Sequence, residues 1–68
     1  MKTIEELETV EEFAVALKEN WIKNYTQSGV MAFRRNQAEL DLIGDRARDL
    51  GLWKDVYALA NKMMKGEA

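Results

Sequence analysis

Of the residues that could carry chemistry in this chain, the two most versatile are missing, since its 68 residues include no histidine and no cysteine. Proton transfer near neutral pH would then fall to carboxylates, lysines or tyrosines, and covalent catalysis would need a hydroxyl or amine beside an oriented base. The aliphatic hydroxyls are Thr3, Thr9, Thr26 and Ser28. Each falls at a predicted helix end, where satisfying backbone N–H groups left free by the first turn accounts for it. No glycine-rich phosphate loop is present. A protein without catalytic function and without a cofactor is expected.

Two charge patterns remain. Asp41, Asp45 and Asp49 recur every four residues and therefore line one side of a helix, a spacing that could present oxygens to a divalent cation. Arg48 stands three residues from Asp45 and Arg46 three from Asp49, so surface ion pairs are the expected use, and no metal site is expected. Arg34 and Arg35 form a basic pair, and the tight Leu50-Gly51-Leu52 connection between two helices resembles a helix-turn-helix. The would-be reading helix offers Lys54, Lys62 and Lys65 against Asp55, on a chain of net charge −2. That is a thin supply of charge for neutralising phosphates. Nucleic-acid binding is therefore the alternative reading and not the first one.

These side chains must be positioned by helices. The chain has no proline and four glycines, and its richness in Ala, Leu, Glu, Lys, Arg and Met favours helix outside a few breaks. Breaks are expected at Ser28-Gly29, Gly51 and Gly66, each after an amphipathic run, where glycine suits the position just past a helix end. The spacing predicts a single all-α domain over residues 1–68, a three-helix bundle with helices at about 9–27, 30–50 and 53–65 and a short N-terminal turn. Thr9 with Glu12 forms a capping-box signature at the start of the first helix, and Thr3 with Glu6 repeats it. Acids crowd this end, with Glu5, Glu6, Glu8, Glu11 and Glu12 against Lys2. No apolar stretch is long enough for a signal peptide or a membrane span, so a cytoplasmic protein that does not enter membranes is expected.

At 100° per residue the core face of the first helix comprises Val10, Phe13, Ala14, Leu17, Trp21 and Tyr25. The second helix places Phe33, Leu40, Ile43, Ala47 and Leu50 together, with Gly44 in the same arc. In the third, Trp53, Val56, Tyr57, Leu59, Ala60, Met63 and Met64 oppose Lys54, Asp55, Ala58, Asn61, Lys62 and Lys65. The order of small, glycine and aromatic positions from Ala38 to Met64 resembles a single tetratricopeptide-type helical hairpin. Ile43-Gly44, Gly51, Trp53, Val56, Tyr57, Ala60 and Met63 carry the likeness, while Ala47 replaces the usual aromatic and the closing proline is missing. The resemblance implies a peptide- or protein-binding scaffold and brings no catalytic residue with it.

A second apolar stripe is left over. Met31, Ala38 and Leu42 fall opposite the core face of the second helix, bordered by Arg35, Arg46 and Asp49, and Val15 and Ile22 sit away from the core face of the first. A three-helix monomer needs one buried stripe per helix, and further stripes rimmed by charge are the sequence pattern of an interface. Met31, Arg35, Ala38, Leu42, Val15 and Ile22 are accordingly the expected partner-binding residues. Their partner is a protein or a second copy in a homodimer, and the chain is an adaptor or inhibitor. The competing expectation is that Ile4 and Leu7 fold back and cover Val15 and Ile22. Asn20, Asn24 and Asn36 interrupt apolar faces, either fixing register or, as the preferred expectation, capping a neighbouring helix end.

Overall fold

In the computed structural model, which describes residues 3–66, a 3-10 turn over Ile4–Glu6 precedes three helices: α1 (Val10–Thr26), α2 (Val30–Asp49) and α3 (Trp53–Met64). The expected all-α three-helix bundle is therefore the fold, and the expected ends agree within a residue or so. Among the described residues no helix is long and apolar enough to cross a membrane.

Local chemistry sets these boundaries. The Thr9 hydroxyl accepts the Glu12 backbone N–H at 3.2 Å, while the Glu12 carboxylate accepts the Thr9 N–H at 3.3 Å, so two donors left free by the first turn are satisfied reciprocally. The Thr3-Glu6 pair does not repeat this. Its turn closes through the Glu6 N–H and the Thr3 carbonyl, with no side-chain cap. At the end of α2 the Leu52 N–H reaches the Ala47 carbonyl at 2.8 Å and the Gly51 N–H reaches that of Arg48 at 2.9 Å. This doubled closure needs a left-handed residue at the first of the two donors along the chain, and Gly51 supplies it at φ +71°. Gly29 does not follow a helix end as expected: α1 is closed by Gln27, and Gly29 sits at φ 104° as the residue that opens α2.

Leu7, Phe13, Ala14, Leu17, Ile43, Ala47, Val56 and Ala60 form the buried core. α1 is its centre, packing along α3 and, less extensively, along α2, whereas α2 and α3 meet over a short stretch. The N-terminal turn folds back as expected, with Leu7 buried and Ile4 against the core, but it packs on α2. It therefore leaves Val15 and Ile22 uncovered, and both remain exposed.

Three residues expected in the core from α1 and α2 are outside, and Tyr57 and Met64 of the apolar face of α3 are exposed as well. Leu50 is exposed because the glycine turn redirects the chain, and Leu52, two residues on, packs on the core in its place. Tyr25 and Phe33 have the right helical phase but are left uncovered. α3 is short, with 12 residues to the 20 of α2, and meets α2 over a short stretch only. Tyr25 borders an open cleft with Asn61 and Met64 of α3 without being covered by them, and Phe33 stands in water at the start of α2.

Candidate interaction surface

The upper part of the α1–α2 seam is held by polar groups. The Asn20 amide, fully buried, donates to the Asn36 carbonyl at 2.8 Å and to Glu39 Oε1 at 3.1 Å. Lys23 Nζ donates to both Glu39 oxygens, at 3.2 and 3.3 Å, and Asn36 Nδ2 donates to Gln27 Oε1 at 3.3 Å. Asn20 and Asn36 thus fix the register of two antiparallel helices, correcting the expectation that they cap helix ends. Asn24 does neither and lines an open cleft. Such a seam specifies alignment, since a one-turn slip would strand buried amides, but it contributes less net stability than apolar packing.

Outside this seam lie the residues expected to bind a partner. Met31, Arg35, Ala38 and Leu42 are all exposed and share the face of α2 opposite Asn36, Ile43 and Ala47, with Met31 at 77% and Leu42 at 50% of full exposure. The structure therefore brings these four together. It does not bring Val15 and Ile22 to them, because those residues lie opposite Leu17 and Asn20 on α1, and each face turns away from the shared core. Arg34, Arg35 and Asp41 are exposed and make no ion pair among the described residues, in contrast to Lys23 with Glu39 and Arg48 with Asp45. The expected Arg46–Asp49 pair is not formed, and the buried Nε of Arg46 has no partner.

The exposed apolar surface at the start of α2 is larger than the stripe alone. Val30 is 66% and Phe33 61% exposed, so the run Val30-Met31-Ala32-Phe33 presents large apolar groups on several sides of one turn, with Tyr25 at 84% just across the connection. Four consecutive apolar residues cannot all fit one face of a helix, and that signal was present in the sequence.

A second concavity runs between α1 and α3. Trp21, Asn24, Tyr25, Tyr57, Asn61 and Met64 line an open cleft of about 490 Å³. A neighbouring cleft shares Trp21 and Tyr57 and extends past Leu40, Gly44 and Trp53. Trp21 meets Tyr57 edge-on with ring centres 5.8 Å apart, and the Arg48 guanidinium lies 4.8 Å above the Trp53 ring, over the space left by Gly44. These rings offer stacking and apolar contact, with amides at the rim, and no arrangement of nucleophile and base. Among the described residues no group of three or more acidic side chains converges to hold a metal ion.

Comparison with protein-family models, with curated proteins and with solved structures found no match.

Proposed function

We propose that this protein is a small non-catalytic interaction module, of the adaptor or inhibitor type, that engages a protein partner through α2. The observation that carries this reading is the start of α2, where Val30, Met31 and Phe33 stand in water around a single turn. A helix end that is apolar on all sides is stable in isolation only at a cost in exposed surface, and a clustered patch of this kind with charges at its rim is a binding surface. Arg34, Arg35 and Asp41 supply that rim with unpaired charges. Two of the four aliphatic hydroxyls support the non-catalytic part, since Thr9 is engaged in a cap and the Thr26 hydroxyl donates to the Ile22 carbonyl. The tetratricopeptide-type likeness of residues 38–64 points to the same class of activity and is part of the proposal.

The test is a Met31→Lys/Leu42→Lys double variant, compared with the parent by circular dichroism, sedimentation and capture of protein from the native cell. Retained helicity with lost capture is the expected result. A folded variant with unchanged capture and unchanged sedimentation would overturn the reading. Salt-sensitive association with duplex DNA that falls when Arg34, Arg35 or Lys62 is neutralised would replace it with nucleic-acid binding.

A further inference from the structure

Resting on that reading of α2, we propose that the partner is a second copy of this chain, laid antiparallel along α2 with the two-fold axis between Arg35 and Ala38. An interface closed by a two-fold axis needs a patch complementary to itself. Met31, Arg35, Ala38 and Leu42 meet that requirement, because their spacing of four, three and four residues reads the same from either end. In the antiparallel register Met31 of each copy lies opposite the second copy's Leu42, and Arg35 lies opposite the second copy's Ala38. The small Ala38 side chain lets the helices approach and gives the Arg35 stem a surface to lie on while its head stays in water.

The charges choose the same arrangement. Arg34 and Asp41 are one heptad apart on the same flank of this stripe, both exposed and neither in an ion pair among the described residues. In an antiparallel helix pair like flanks meet, so Arg34 comes beside the second copy's Asp41 and the pair is repeated by symmetry. A parallel arrangement would set Arg35 against Arg35 in the seam and would not bring Arg34 to Asp41, which disfavours it. From Met31 to Leu42 the contact spans about 17 Å of helix. It is a short interface, so the dimer is weak, with a dissociation constant on the order of micromolar or above. Phe33 lies on the other side of α2 and takes no part.

The register is tested by sedimentation equilibrium of the parent, Arg34→Asp, Asp41→Arg and the Arg34→Asp/Asp41→Arg double variant at low salt, with circular dichroism confirming that each stays helical. The parent is expected to dimerise reversibly. Each single reversal places two like-charge pairs in the interface and weakens dimerisation by roughly tenfold, while the double reversal restores it to within about threefold. A parent that stays monomeric at about 1 mM, or a double variant as weak as the singles, overturns the proposal. A monomeric parent whose partner capture is lost in Met31→Lys/Leu42→Lys overturns the dimer alone and leaves α2 as the face for another protein. A dimer indifferent to Met31 and Leu42, with capture also unchanged, removes both readings.

Discussion

Between Leu40 and Ala47, α2 lies against a dry core, with Ile43, Gly44 and Ala47 buried and Leu40 packed on the cluster built by Phe13, Leu17, Val56 and Ala60. Between Val30 and Glu39 the same helix is tied to the rest of the chain by amides and one lysine–glutamate pair, while Val30, Met31 and Phe33 face water. The lower half resembles the interior of any small bundle. The upper half has apolar material to spare and no intramolecular use for it. One continuous helix therefore has two kinds of surroundings: its C-terminal half anchors the fold, and its N-terminal half is held by directional bonds with its large apolar groups in water.

The largest effect should come from the anchored half. Ile43→Ala removes buried methyl and methylene groups from a site with no neighbouring solvent and should cost about 2–5 kcal/mol. Marginal stability of roughly 0.05–0.15 kcal/mol per residue makes that a large share of what a chain of this size has. A urea melt followed by circular dichroism should find the variant largely unfolded at low denaturant. A loss under about 1 kcal/mol would mean that the core does not depend on α2 and would dissolve the contrast.

The seam between the halves comes next. Asn20→Ala deletes two donated hydrogen bonds, one to the Glu39 carboxylate, and should cost about 1–3 kcal/mol. The Oδ1 of Asn20 is buried without a partner, so removing the side chain also relieves one unmet acceptor, which keeps the expected cost below that of Ile43→Ala. The sharper readout is order. If the amides specify register, amide exchange in Val30–Asn36 should speed up more than global stability falls, whereas equal changes would reduce Asn20 to ordinary packing.

Helix ends and helical phase were legible in the sequence because both are local. Thr9, Glu12 and Gly51 announce their roles through short-range hydrogen bonding and backbone freedom, and Phe13, Leu17, Ile43, Val56 and Ala60 follow from a 3.6-residue period. What a wheel does not contain is height along the bundle. Phe33 has core phase but stands in water at the start of α2, Tyr25 has it but only borders an open cleft against α3, and Leu50 is displaced by the turn that Gly51 makes possible. The Asn20–Asn36–Glu39 contacts were illegible for the related reason that they depend on which turn of α1 meets which turn of α2. Of the candidate site, Met31, Arg35, Ala38 and Leu42 were correctly placed on one exposed face. Val15 and Ile22 are exposed too, but on a separate face of α1, opposite Leu17 and Asn20.

The smallest stability effect belongs to the open half and discriminates most. Phe33→Ser exchanges a large apolar group for a small polar one at a position 61% exposed, between residues of similar helix propensity. In the isolated chain the change should stay within about 0.5 kcal/mol by the same urea melt, against a cost several times larger at Ile43 ten residues along the same helix. Because Phe33 lies outside the antiparallel α2 contact, self-association should also be unaffected. Reduced capture of another protein by this variant would then extend the binding surface around the first turn of α2. A destabilisation near 2 kcal/mol would instead show that Phe33 is covered in solution, and the upper half of α2 would rejoin the core.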